Sequence, residues 1–484
     1  MLEKLAELEQ LSRQLDPEPA FRKELFRQAG DYSESFLQQL PGSNTYVRDS
    51  GQDGFNEWPV AEEPVPMTEL LDFFHREVDT TGILPASGGQ MGYIPGGGLY
   101  PSAIGDYLAD VSNRYSGVAF AGPGAARMEH SLIRWMSRLV GYPDSAAGDL
   151  ASGGSTATLS ALVTARDAMG IDHQHISSTC IYLTAQAHHC VGKSLHVAGL
   201  KDIRKRTVPM DDCFRMDVGA LKQMIEADKV ERLRPWLVVA SAGTTDTGAV
   251  DPIRQVAAVA RENQLWFHLD AAYGGFFLLC EEGRERLEGI ELADSIVMDP
   301  HKGLGLPYGT GAVLVRDGHW LARSNAYYAD YMQDAKKDDR QGKYDEPDEY
   351  SPADYSLELT RPFRGPRMWF PLKLFGLKPF RAALAEKIWL ARYFHQQLGK
   401  LEGFETGPYP DLSIVTFRYR PANGEDNACN KQLLDAVHKD GKVFITSTLI
   451  DGKFTLRLAV LNFRTHRATV DYLLALLQKE AQRL

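Results

Sequence analysis

Between about residues 150 and 315, short apolar runs alternate with stretches of helical periodicity, and few folds accept that pattern. Strands are predicted at Cys180–Leu183, Trp236–Ala240, Leu265–Leu269, Ser295–Met298 and Ala312–Val315. Between and before them, helices are predicted over 155–168, 189–199, 217–227 and 251–262. Strands alternating with helices of this length imply an α/β fold: a mostly parallel, doubly wound sheet covered on both faces. Such sheets bind ligands at the carboxyl ends of their strands. Polar residues just past each strand are therefore the candidates for function.

The fourth of these strand ends carries the sharpest signal. Ser295–Met298 runs into Asp299-Pro300-His301-Lys302-Gly303, where Pro300 removes a backbone donor and disfavours helix at Asp299. A lysine at the end of a buried strand can be desolvated enough to act as an amine nucleophile. The ordinary alternative is a solvated lysine. Asp270 closes Trp266-Phe267-His268-Leu269, and an acid ending so apolar a run needs a cation beside it. A protonated ring nitrogen would supply one; a salt bridge or helix cap is the plain alternative.

Three further turns complete the set. Ser152-Gly153-Gly154-Ser155-Thr156 leads into a helix, and amides at a helix N-terminus suit a phosphate, unless the hydroxyls simply cap the helix. Ser241-Ala242-Gly243-Thr244-Thr245 ends another strand. Gln186-Ala187-His188-His189-Cys190 follows a third, where a histidine could stack on a planar ligand. Adjacent His and Cys without a distant partner make a poor zinc pattern, so no metal is expected. Cys190-Val191-Gly192-Lys193-Ser194 fails as a phosphate loop because Ala187 stands where glycine is required. An anion cradle, a stacking histidine, an acid for a pyridinium nitrogen and a Schiff-base lysine are the parts that hold pyridoxal phosphate.

Outside this region, Leu2, Leu5, Leu8, Leu11 and Leu15 recur at helical spacing, and a second helix is predicted from Pro19 to Leu40. Such a hairpin packs either on another subunit or on its own domain. Thr68 is expected to cap a helix from Glu69 to about Val78. The run Gly88–Gly98 reads as a loop lying against a ligand or another backbone. Helices are predicted over 101–115, 125–140 and from Pro366 to about Leu401. Residues 325–355 lack periodicity, and a loop so long in a compact protein is functional or disordered. Strand-like runs at Ile414–Tyr419, Val443–Thr446 and Phe454–Val460, with a helix over Arg467–Leu484, predict a small α+β domain.

At 484 residues the chain is too long for a single ordinary core. We expect a helical arm over 1–85, a large α/β domain over 86–375 and a C-terminal domain over 376–484. A net charge of −11 argues against nucleic acid as a partner. No run approaches the roughly 20 apolar residues of a membrane span. The opening Met1–Leu8 has no signal-peptide core, and five cysteines form no CxxC pair, which together point to the cytoplasm.

With these motifs in place, the chain resembles the group II pyridoxal-phosphate-dependent amino-acid decarboxylases of the type I fold, the aromatic-L-amino-acid and glutamate decarboxylase family. The resemblance extends from Tyr93-Ile94-Pro95 through Leu456-Arg457-Leu458-Ala459-Val460. It implies Lys302 as the Schiff-base lysine, Asp270 on the pyridine nitrogen, His188 over the ring and Ala272 against its other face. It places Gly154, Ser155, Thr244 and His301 around the phosphate, with Asp299 nearby. It implies a catalytic-loop tyrosine at Tyr331, with Tyr327 and Tyr328 as neighbouring candidates, and a homodimer with the site at the subunit interface.

The implied activity is α-decarboxylation of an amino acid to CO2 and an amine. Retention of Tyr331 and His188 favours this over oxidative decarboxylation–deamination to an aldehyde, the branch that loses one of them. Ser87-Gly88-Gly89-Gln90-Met91 departs from the family's aromatic-pocket run, and Gly96 follows Pro95 in place of a hydroxyl residue. Tyr93, Ile94, Pro95 and Phe120 still offer apolar walls, so an aromatic substrate is expected, with an acidic or polar amino acid as the competitor.

Overall fold

A computed structural model describes residues 1–49, 51, 54–327, 350–421 and 426–484. Its centre is a seven-stranded sheet: β1 Ala147–Ala151, β2 Thr179–Thr184, β3 Arg204–Val208, β4 Arg234–Ser241, β5 Trp266–Asp270, β6 Ser295–Met298 and β7 Gly311–Val315, in the spatial order β1-β7-β6-β5-β4-β2-β3. All five predicted strands and all four predicted crossover helices are present. The pairs within β3-β2-β4-β5-β6 are parallel. β7 runs antiparallel to both its neighbours, β6 and β1.

The sequence reading missed both edge strands. β3 is written Arg-Lys-Arg-Thr-Val, exposes Arg204, Lys205 and Thr207 and buries only Val208, so it carries no apolar run. β1 (Ala-Gly-Asp-Leu-Ala) is fully buried but made of small residues and an acid. Central strands such as β6 and β7 are buried along their whole length, as expected for strands covered on both faces.

A second, antiparallel sheet lies near the C-terminus and comprises Phe404–Thr406, Ile414–Tyr419, Lys453–Ala459 and Thr446–Ile450 in that order. The strand expected at Val443–Thr446 begins only at Thr446; Phe444 instead makes an isolated bridge to Gln90. Helices Asp426–Asp440 and Arg467–Ala481 cover this sheet. The helical stretch after Pro366 is two helices, Gly365–Phe375 and Leu377–Leu398, parted where Gly376 takes φ +64°.

Near the N-terminus, helices Leu2–Ser12 and Pro19–Gln39 bury no residue. Thr68 is not a cap: the helix runs from Met67 to Phe74, with Pro66 at its N-cap. The glycine-rich loop lies against backbone. A Cβ on Gly88 would meet the Arg464 carbonyl at 2.4 Å, one on Gly89 the Lys442 carbonyl at 2.2 Å, and one on Gly96 the His301 carbonyl at 2.0 Å. That last contact fixes the loop to the turn that carries Lys302.

Candidate active site

The carboxyl ends of β2, β4, β5 and β6 converge with the turn after β1 on one cavity of about 350 Å³. Gly154, Ser155, His188, Thr244, Asp270, Ala272, Asp299, His301 and Lys302 all line it. Sequence reasoning assigned no role to Thr158, Gln186, Cys190 or Tyr273, which line it too. Gln186 had a signal in hand, since it stands two residues before His188. Its Oε1 accepts hydrogen bonds from the Thr244 hydroxyl at 2.9 Å and the Thr247 hydroxyl at 2.6 Å.

Lys302 sits on a single helical turn, Pro300–Gly303, that Pro300 starts directly after β6. Its Nζ lies 2.9 Å from Asp299 Oδ2. Burial alone would pull the ammonium down, but the carboxylates of Asp299 and Asp270 outweigh it and hold Lys302 above the ordinary lysine value. This corrects the expectation of a lysine activated by desolvation: without a ligand it is a paired ammonium. Asp299 is 1% exposed, and its Oδ1 has no hydrogen-bond partner among the described residues. His301 donates Nδ1–H to the Thr310 carbonyl at 2.6 Å, which leaves Nε2 without a hydrogen, 3.7 Å from Asp299 Oδ2. Burial holds His301 below the ordinary histidine value.

His188 precedes helix His189–Val197, and its Nδ1 accepts the Cys190 N–H at 3.3 Å, so the imidazole proton is on Nε2. Burial lowers its pKa, and His189 and Lys302 add to that against the pull of Asp270. Burial pushes the Cys190 thiol up to about 11, so it stays neutral, with Sγ 3.6 Å from the Thr158 hydroxyl. Asp270 ends β5, and its Oδ1 accepts the Ala272 N–H at 3.1 Å. The Tyr273 hydroxyl meets Ser413 at 2.7 Å and ties this corner to the C-terminal part of the chain.

The residues fit pyridoxal phosphate. Helix Gly154–Ala168 has Gly153 at its N-cap and no side-chain cap, so the capping alternative for Ser152–Thr156 falls away and the first-turn amides remain for an anion. An acid, a neutral histidine and an amine line the same cavity. The candidate substrate residues are not brought to it: none of Tyr93, Ile94, Pro95 and Phe120 lines the cavity. Ile94 is packed in the core and Pro95 is buried, whereas Tyr93 and Phe120 are 60% and 68% exposed. Tyr331 lies outside the described residues.

Comparison with known proteins agrees with this geometry. Residues 86–420 match the pyridoxal-dependent decarboxylase conserved domain. An aromatic-L-amino-acid decarboxylase of Bacillus atrophaeus is 32% identical over 447 residues, 92% of this chain and 90% of that protein. Phenylacetaldehyde synthase of Arabidopsis thaliana is 27% identical over 80% of this chain and 81% of its own length. The crystal structure of Oryza sativa TDC with PLP and tryptamine superposes with a TM-score of 0.88 at 25% identity, covering 96% of this chain and 98% of that one. The chain belongs to the pyridoxal-dependent decarboxylase family and uses pyridoxal phosphate as its cofactor.

Proposed function

We propose that the protein decarboxylates an aromatic L-amino acid to CO2 and the corresponding amine. The carrying observation is the single cavity that gathers Lys302, Asp270, His188 and the uncapped Gly153–Ser155 turn. Bound pyridoxal phosphate supplies an electron-accepting pyridinium ring. Lys302 is the amine that would hold it covalently, and the Gly154 and Ser155 amides would hold its phosphate, with Thr244, His301 and Asp299 nearby. Asp270, oriented by the Ala272 amide, would keep a ring nitrogen protonated. His188 would lie over the ring and Ala272 against its other face; the Nε2–H of His188 is a donor that stays neutral near pH 7. Tyr331 or His188 would give the proton to the substrate carbon.

The aromatic reading over the acidic one is supported by the lining: among the described residues no arginine borders the cavity to receive a side-chain carboxylate. Gly96 is accounted for by the His301 carbonyl, so it need not mark a polar subsite. The Bacillus and Oryza relatives point the same way. Retention of His188 favours amine formation over the aldehyde chemistry named for the Arabidopsis relative. A panel of amino acids assayed for CO2, amine, ammonia and peroxide separates the three readings.

The same proposal includes a homodimer whose second copy covers Tyr93, Phe120 and the N-terminal helices. It is supported by the exposed leucines at 2, 5, 8 and 11 and by a helical hairpin with no buried residue. It also includes the division at residues 85 and 375 and a cytoplasmic location, which five free cysteines fit. Among the described residues no helix is long and apolar enough to cross a membrane.

A further inference from the structure

The edge of the central sheet is closed by side chains that the chemistry above does not use. β1 pairs only with β7, so alternate carbonyls of β1 face away from the sheet. Gly148 and Leu150, two residues apart, carry such carbonyls. The Tyr350 hydroxyl donates to the Gly148 carbonyl at 2.8 Å. The Leu150 carbonyl accepts from two guanidiniums, Arg361 at 2.6 Å and Arg364 at 3.0 Å.

Those guanidiniums are held in turn. The fully buried Arg361 side chain pairs with Asp149 of β1 itself and with Glu129 of helix Pro123–Val140, the latter at 3.1 Å. Arg364 pairs with Glu358 at 2.7 Å, and its backbone N–H donates to Glu129 at 3.0 Å. A buried ion network stabilises a fold no more than apolar side chains of the same volume, so its use lies in the geometry it fixes.

That geometry leads to the anion cradle. Only Ala151 separates Leu150 from Ser152, where the cradle begins. On its other side the cradle has no slack. A Cβ on Gly311 of β7 would meet the Gly153 carbonyl carbon at 2.4 Å, and one on Gly154 would meet Asp299 Oδ2 at 2.6 Å. The Gly153–Gly154 backbone therefore lies against β7 and Asp299, while the arginines fix the strand that feeds it.

We propose that Arg361, seconded by Arg364, is a positioning residue for the cofactor phosphate: by holding Asp149 and the Leu150 carbonyl it sets where the Gly154 and Ser155 amides point. Neither arginine lines the cavity. The inference rests on the reading of that turn as the phosphate site given above.

The test uses full-length Arg361→Met, Arg364→Met and Ser155→Asp, with folding checked by circular dichroism. Each is freed of cofactor and titrated with pyridoxal phosphate and with pyridoxal, which lacks the phosphate, and lysine-linked absorbance gives both dissociation constants. A loosened fold weakens both ligands alike, whereas a misplaced cradle weakens only the first. Folded R361M is expected to bind pyridoxal phosphate about 10- to 100-fold more weakly, the range for a lost hydrogen bond to a charged group. Its affinity for pyridoxal stays within about threefold. An unchanged ratio of the two affinities, whether neither falls or both fall equally, overturns the proposal. If R361M does not fold, R364M decides: a fall in that ratio of about three- to tenfold supports the proposal, and an unchanged ratio overturns it. S155D sets a carboxylate in the cradle itself. A wild-type ratio in S155D would overturn the phosphate reading of the turn, whereas a fall in S155D with none in R361M overturns only this inference.

Discussion

Lys302 Nζ lies 2.9 Å from Asp299 Oδ2, three residues back on the same turn and almost wholly buried. The pair keeps the amine protonated until a ligand arrives. Covalent capture of pyridoxal phosphate needs the neutral amine. Asp299→Asn removes the charge that raises the Lys302 pKa, so the pH midpoint for capture by the cofactor-free protein moves down. Visible absorbance of the lysine-bound cofactor against pH measures this. An unmoved or raised midpoint contradicts the role given to Asp299.

Gly96 and His301 make a second junction. A Cβ at position 96 would stand 2.0 Å from the His301 carbonyl, and backbone cannot swing aside as a side chain does. Gly96→Ala is expected to cost about 1–3 kcal/mol in urea unfolding and to weaken cofactor binding, because the turn of Lys302 must shift. A variant as stable as wild type would show that the junction yields freely.

Acid sensitivity follows from His268. Burial pulls its pKa from 6.5 down to about 4 in the folded chain. The unfolded chain therefore takes up a proton that the folded one refuses, and stability is lost as pH falls from about 6.5 to about 4. At most about 3 kcal/mol is at stake. His188 and His301 are lowered in the same direction. Melting temperatures at pH 5 and pH 7 should differ less in His268→Gln than in wild type; an equal or larger difference contradicts the assignment.

Tyr331 is assigned by the family pattern and lies outside the described residues. Tyr331→Phe removes an assigned donor to the substrate carbon and should turn product from amine towards aldehyde, with dioxygen consumed and ammonia and peroxide released. Tyr327→Phe should still give amine. The reverse pattern would move the assignment to Tyr327.

Much of this site was legible in the sequence because its acid, lysine and histidine stand at the ends of strands whose apolar runs are unmistakable. Asp270, Lys302 and His188 follow β5, β6 and β2, and a parallel sheet brings its carboxyl ends together whatever the loops do. The strands that were missed, β1 and β3, hold their places through pairing with β7 and β2 and carry no apolar signal of their own. The state of Lys302 was not legible either. Sequence shows that Asp299 is near in number, but only the turn sets its oxygen 2.9 Å from the amine and reverses the effect of burial. Nor could spacing show that Ile94 faces the core and that Tyr93 and Phe120 face outward, because these depend on how the segments between helices pack on the rest of the chain.

The most direct test of the whole account is product analysis of the purified holoenzyme with each of the twenty amino acids and DOPA. The account predicts CO2 and the matching amine in equal amounts from aromatic substrates, with neither ammonia nor peroxide. Turnover of aspartate or glutamate alone, or aldehyde with ammonia and peroxide, would contradict it.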